Sequence, residues 1–294
     1  MKLVSFLLKT NEANATPRKS YGMYVNSGIV DLGSRLGKQY PDIKTLLAEG
    51  GITEARRYLE CAPDYDVSDV DFLPVIDAPS KIFCVGMNYA DKRQEFGETN
   101  NAPTIFIRFP DSQTGHGCPV LKPAFTTEFD YEGELAVVIG KGGQGIPKEE
   151  AISHIAGYSC YMDGSVRDWQ YTWFTAGKNW PQTGAFGPWL VTSDEITDPH
   201  ALGIRTYLNG QKVQDDNTGN MIHSIPELIA YISTFSALSP GDVMITGSPG
   251  GVGKKRCPPL FMNDGDIVEV EIEQIGRLRN RVTQDTPRSQ HEKA

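Results

Sequence analysis

The sequence predicts an α+β chain dominated by strands, with a small α/β unit over residues 1–75 followed by a β-rich body over residues 76–294. Three observations point there. Short β-branched and aromatic runs bounded by turn residues recur through the second part of the chain. Few helical patterns interrupt them. A proline-bearing stretch, DVSDVDFLPVIDAPS, separates this part from a first unit of weakly alternating segments and short helices. A chain of 294 residues is long enough for one large domain, or one large and one small.

In chain order, YGMYVNSGIVDLG reads as a hairpin turning near Asn26 and Gly28. PDIKTLLAEGGITEARRYLE reads as two short helices broken at Gly50 and Gly51. KIFCVGMN reads as a buried strand, and PTIFIRF, GELAVVIG, GYSCYMD, GPWLVT, IRTYLNG, DVMITG and DIVEVEIEQIG as further strands. Helical patterning is confined to KEEAISHIAG, PELIAYISTFS and VRDWQYTW. The polar tail DTPRSQHEKA is expected to fray.

The bulk numbers exclude several classes. Hydrophobic residues make up 39% and charged residues 22%, ordinary for a globular protein. Mean hydropathy is -0.35, and no apolar run nears the ~20 residues of a membrane span. The opening MKLVSFLLKT is interrupted by Lys9 and lacks a secretory pattern, so a cytoplasmic protein is expected. Five cysteines, an odd count without a CxxC pair, argue against a disulfide framework and a zinc knuckle. A net charge of -9 without a basic cluster argues against nucleic acid or anionic membrane as partner.

DYEGELAVVIG carries the most chemistry. Alternate side chains of a strand share a face, so Leu135, Val137 and Ile139 lie on one side and Glu132, Glu134, Ala136 and Val138 on the other. Two carboxylates beside an apolar run repel and are costly to desolvate unless a cation sits between them. Asp163, at the end of a β-like run before Gly164, supplies a third oxygen ligand. Three carboxylates suit a hard cation, Mg²⁺ or Mn²⁺. Spacing alone equally allows a solvated edge strand with both glutamates in water.

DYEGELAVVIG, GYSCYMDGSVRDWQ, the Gly177–Lys178 pair, GPWLVT, LNGQKVQ and PGDVMITGSPGGVG follow one another in an order that resembles the fumarylacetoacetate hydrolase family, from Lys81 to Asn280. The resemblance implies a mixed β-sandwich roll, a homodimer and a small N-terminal domain. It implies metal ligation by Glu132, Glu134 and Asp163, and substrate contacts by Arg167, Gln170, Lys178 and Thr246. Its substrates are small 2-oxo acids, and its reactions are C–C hydrolysis, decarboxylation and isomerisation. A metal holding the 2-oxo acid would stabilise the enolate left when the bond breaks, with Lys178 adding positive charge there. The glycines around Thr246 suit a loop that offers bare N–H groups to a ligand.

The pattern breaks in NYADKRQEFG. Glu95 is present, but Lys92 stands where the family's water-activating His is expected. Three readings follow: Glu95 acts alone as base, His116 swings in between its flanking glycines, or the chemistry needs little water activation. The main expectation is hydrolysis of an acylpyruvate to pyruvate and a carboxylic acid with Glu95 as base, and with Lys92 turned away from it or held by another acid such as Asp91. Decarboxylation or isomerisation of an oxaloacetate-type acid, or a non-catalytic relative, is the alternative. Pro181 replaces a family Asp and leaves the substrate's identity open, while Arg108 could clamp a distal carboxylate.

GKGGQG fits a dinucleotide fingerprint, but Glu149 and Glu150 would repel a pyrophosphate in the first helical turn that follows. TGSPGGVGKK departs from a P-loop at Ser248 and Lys255.

Overall fold

The computed structural model describes residues 1–10, 16–171 and 173–286. It is sheet-dominated, with mixed strand directions and no closed barrel. The last residues of the polar tail, 287–294, lie outside the described residues.

The central strand is Gly133–Ile139, and all seven of its residues are buried. It pairs antiparallel with Ile155–Met162 on one side and with Val243–Ile245 on the other. Val243–Ile245 continues in parallel to Ile82–Gly86, and the sheet ends at Thr104–Ile107. In the other direction, Ile155–Met162 pairs with Gly184–Thr192, and that strand pairs with Lys2–Leu8. The N-terminal strands therefore extend the same sheet. The expected hairpin is Arg18–Val25 with Gly28–Asp31, and positive φ at Asn26 (49°) and Ser27 (67°) makes its two-residue turn.

A second, five-stranded sheet contains Gly203–Leu208, Gln211–Asn217, Ile267–Ile272 and Gly276–Gln284. Leu135, Val137 and Ile139 share one core cluster with Val268, Val270, Ile272 and Leu278 of that sheet. Ala136 and Val138 belong to a cluster on the opposite face with Leu3, Tyr21, Ile43 and Leu46. The predicted alternation thus divides two cores, and burial on both faces explains why the strand is so apolar beyond Glu134.

The helices Ile43–Ala48 and Ile52–Ala55 form with a break at Gly50 and Gly51, and Ile225–Phe235 forms behind a capping box between Ser224 and Glu227. KEEAISHIAG departs from expectation. Only a 3₁₀ turn, Ala151–His154, forms before the chain enters a strand at Ile155. The carbonyl of His154 accepts from the N–H groups of Gly140 and Lys141, which folds GKGGQG into a plain turn with no dinucleotide helix after it. VRDWQYTW likewise gives a 3₁₀ turn, Arg167–Trp169, and then a short helix at Phe174–Lys178.

Candidate active site

Strand register assembles the carboxylates. Gly133 lies opposite Met162 and Glu134 opposite Tyr161, and the Asp163 N–H donates to the Glu132 carbonyl at 2.8 Å. Directly opposed residues of an antiparallel pair share a face. Asp163 therefore joins Glu132 and Glu134, and oxygens of all three lie within 4.8 Å of one another, fully withdrawn from the surface. Gly164 lets the chain turn away at once, because a Cβ there would meet the Thr183 carbonyl oxygen at 1.9 Å.

Four cations surround these acids. Lys178, delivered by the helix Phe174–Lys178, hydrogen-bonds both Glu132 and Asp163. Lys92, on the helix Ala90–Phe96, hydrogen-bonds Glu132 and donates to Ser248 Oγ at 2.6 Å. Arg167 joins Glu132 at 3.0 Å to Asp130 at 2.8 Å. Arg108 donates to Asp163 Oδ1 at 2.5 Å. Lys92 is thus held by an acid, as expected, but the acid is Glu132 and not Asp91, whose Oδ1 takes only the Lys92 backbone N–H at 2.7 Å.

The two glutamates are pushed in opposite directions. Burial raises the Glu132 carboxyl, but Arg167, Lys178 and Lys92 together outweigh it and hold the group well below its ordinary value. Glu134 is raised well above its ordinary value, first by burial and then by the neighbouring charges of Asp163 and Glu132.

Thr246, Gly247 and Ser248 close the site from the far side. The Thr246 hydroxyl donates to the Leu135 carbonyl at 2.9 Å and does not line the cavity, whereas Ser248 does. Four of the loop's glycine N–H groups are already taken by the protein's own carboxylates. Gly247 donates to Glu134 at 2.6 Å, Gly250 to Asp91 at 2.9 Å, Gly251 to Glu95 at 2.7 Å and Gly253 to Asp130 at 2.7 Å. Gly247 needs its φ of +99° to do this, a region costly for a side-chain-bearing residue. Glycines expected to cradle a ligand instead hold the protein's own carboxylates.

Two further expectations are corrected by geometry. Arg108 cannot clamp a distal carboxylate. Its five N–H donors go to Asp163, the Gly164 carbonyl, Thr183 Oγ1, the Ser112 carbonyl and Ser112 Oγ, which leaves none for a substrate. His116 does not line the cavity. Its Nδ1 accepts from the Arg279 N–H at 3.1 Å, and its ring meets the edge of Phe72 at 5.5 Å. Gly115 serves close packing, because a Cβ there would come within 2.0 Å of the Phe72 carbonyl oxygen. Glu95 also stands outside the inner cavity, with Oε1 on Gly251 and Oε2 buried without a partner. Gln170 lines an outer chamber, with its Oε1 accepting from Arg167 at 3.0 Å.

Asp130 and Ser248 escaped the sequence reading. Asp130 continues the alternation of Glu132 and Glu134 by one step, and Ser248 lies two residues past Thr246, so each carried a weak positional signal. The inner cavity, lined by Lys92, Glu132, Glu134, Asp163, Lys178 and Ser248 among others, has about 20 Å³ of room, space for an ion or one to two waters. Three buried carboxylates are hard oxygen donors of the kind that hold Mg²⁺ or Mn²⁺ at roughly 2.1 Å, and they fit such an ion.

The model of fumarylacetoacetate (FAA) hydrolase C-terminal matches residues 81–283. The chain belongs to the fumarylacetoacetate hydrolase family. It is 44% identical over 222 residues to mitochondrial oxaloacetate tautomerase fahd2 of Xenopus laevis, covering 73% of this chain and 69% of that one. It is 41% identical over 225 residues to oxaloacetate tautomerase YisK of Bacillus subtilis, covering 74% and 75%. Among solved structures, maleylpyruvate hydrolase of Sphingobium sp. SYK-6, in complex with manganese (II) ion and pyruvate, superposes with a TM-score of 0.80 at 27% identity, covering 97% of this chain and 100% of that one. A 2-hydroxyhepta-2,4-diene-1,7-dioate isomerase from Mycobacterium marinum gives 0.66 at 35% identity, covering 75% and 81%. Members of the family are enzymes, isomerases and hydrolases alike. Among the described residues, no helix is long and apolar enough to cross a membrane.

Proposed function

We propose that this chain catalyses keto–enol tautomerisation of a small 2-oxo dicarboxylic acid of the oxaloacetate type, and not the acylpyruvate hydrolysis first expected. One observation carries the reading. The position where a water-activating His was expected holds Lys92, a buried amine that lines the inner cavity beside Ser248. Hydrolysis needs a base that deprotonates water. Tautomerisation needs only a group that gives a proton to C3 and a route that takes one from the C2 oxygen. The tautomerase names of the relatives at 44% and 41% identity support the same choice.

A divalent ion held by Glu132, Glu134 and Asp163 would supply Lewis-acid polarisation of the 2-oxo group. The chain's own residues do the rest. The Lys92 ammonium gives a proton to C3 of the enol, and the enol hydroxyl proton returns to the amine directly or through Ser248 Oγ. The reverse sequence gives the enol, and no carbon–carbon bond breaks. Lys178 and Arg167 keep Glu132 ionised throughout. A homodimer formed by the β-rich body belongs to the same proposal, supported by the edge strand Thr104–Ile107, where Ile107 and nearby Phe109 are exposed.

Hydrolysis stays as a second reading because Glu95 Oε2 is buried without a partner among the described residues. The deciding experiment follows keto–enol exchange of oxaloacetate by ultraviolet absorbance with Mn²⁺-loaded protein, and pyruvate release from an acylpyruvate in parallel. The expected result is fast exchange that falls at least ~100-fold in Lys92→Met, the scale of a lost general acid. Pyruvate release without faster exchange overturns the proposal in favour of the hydrolase.

A further inference from the structure

Beyond Met87, Arg167 and Phe174 the inner cavity gives onto an outer chamber of about 320 Å³, and these three residues line both. Phe96, Gln170, Lys254 and Lys255 also line the outer space. Lys254 is paired with Glu128 at 3.2 Å. Among the described residues Lys255 has no carboxylate partner, and its ammonium sits 4.3 Å from the centroid of the Phe96 ring. The ring holds the cation in place without neutralising it. Among the described residues Gln170 spends its Oε1 on Arg167 and leaves Nε2 buried with no acceptor. A buried amide donor without an acceptor is costly, so one of these two donors in the chamber lacks a partner it needs.

Charge in the inner cavity indicates what the chamber receives. Lys92, Arg108, Arg167 and Lys178 match Asp130, Glu132, Glu134 and Asp163 in number, and all eight are buried. A divalent ion held by ionised carboxylates leaves this cluster two charges positive, and the 1-carboxylate of a 2-oxo acid removes only one. The second negative charge must come from elsewhere on the substrate.

We propose that Lys255, together with Gln170 Nε2, forms a subsite for the second carboxylate of a 2-oxo dicarboxylate, and that Lys255 sets the preference for dicarboxylate over monocarboxylate substrates. This rests on the reading of the inner site as one that binds a 2-oxo acid. Lys255 acts on affinity, because neither Lys92 nor Ser248 lines the outer chamber, although Lys92 Nζ lies 5.9 Å from the centroid of the same Phe96 ring.

The test uses full-length Mn²⁺-loaded protein with oxaloacetate as substrate and oxalate as an inhibitor that has no tail to reach the chamber. Lys255→Met should raise KM for oxaloacetate ~10-fold or more, as for a lost hydrogen bond to a charged group. The oxalate inhibition constant should move less than about twofold, a bound set by the screening of an exposed charge. Lys255→Arg should restore most of the loss. Lys148→Met, which removes an exposed lysine paired with Glu227, is the charge control and should behave as wild type. A wild-type KM in Lys255→Met overturns the subsite, as does equal weakening of oxalate and oxaloacetate. Calorimetric titration with 2-oxoglutarate reads the subsite without turnover. If wild-type protein binds 2-oxoglutarate through Lys255 but does not accelerate exchange of oxaloacetate, the tautomerase reading fails and the subsite stands.

Discussion

His116 should make the stability of this protein depend on acidity in a defined window. Burial, and then the charge of Arg279, push its imidazole down from 6.5 to about 4. The ring is neutral in the fold, with Nδ1 accepting the Arg279 N–H. The unfolded chain binds a proton below about 6.5, while the folded chain does not until about 4, so stability rises with pH across that interval. The contribution is fully present above 6.5 and is lost as the pH falls toward 4. At ~1.4 kcal/mol per pH step the whole window amounts to about 3 kcal/mol, an upper figure because the ring is partly exposed. His116→Asn keeps an acceptor for the Arg279 N–H and removes the titration. Urea unfolding midpoints of wild type and variant between pH 7.5 and 4.5 should converge as acid is added, with the variant losing less. Parallel pH dependences in the two proteins would refute the assignment of His116 as a group kept neutral by the fold.

Other outcomes follow from the same geometry. Chelation with EDTA should abolish activity and Mg²⁺ or Mn²⁺ should restore it, and full activity in metal-free protein would remove the carboxylate triad from the mechanism. Glu95→Gln should leave tautomerisation within about threefold, since Glu95 lies outside the inner cavity; a loss of ~100-fold, the scale of a missing general base, would return it to the chemistry. Light scattering at micromolar concentration should report a dimer, and Ile107→Lys with Phe109→Lys should shift it toward monomer; a monomeric wild type contradicts the proposal.

Much of the strand framework was legible because it depends on local alternation. Glu132 and Glu134 opposite Leu135 and Val137 follow from a two-residue period alone, and the Asn26–Ser27 turn from its residue types. The convergence of Asp163 was not legible from periodicity, because it depends on the register between two strands, and the family resemblance supplied it. Lys92 was legible only as a departure from the family pattern, turned away from Glu95 or held by an acid such as Asp91, yet it is buried against Glu132, 40 residues away in the chain. No local pattern encodes such a contact. The glycines beside His116 suggested mobility, whereas Gly115 serves the close approach of backbone to Phe72. KEEAISHIAG carried helical periodicity but lost to the pairing of its last residues with Gly184–Thr192 and Gly133–Ile139.

The pairing inside the buried cluster has a thermodynamic consequence that separates a metal-and-dianion site from a structural ion-pair network. Asp130, Glu132 and Asp163 are paired with the four buried bases without any ligand, while Glu134 accepts from the Gly247 N–H. A divalent ion alone must enter against Lys178 and Lys92, which already occupy Glu132 and Asp163, and must take Glu134 in a form its surroundings disfavour. A dianionic 2-oxo acid restores the balance that the ion disturbs. Ion and dianion should therefore bind cooperatively, each tightening the other by the same factor. At an effective dielectric near 20, two opposite charges 4 Å apart attract by ~4 kcal/mol, so a coupling of ~10-fold is a conservative expectation. Because the Glu134 carboxyl is raised, ion binding should also release protons, and Mn²⁺ affinity should fall as the pH is lowered. Calorimetric titration of Mn²⁺ with and without saturating oxalate, in two buffers of different ionisation enthalpy, measures both effects. Independent binding of Mn²⁺ and oxalate, with no proton released, would mean that the eight charges form a closed structural network and that the ion is held elsewhere.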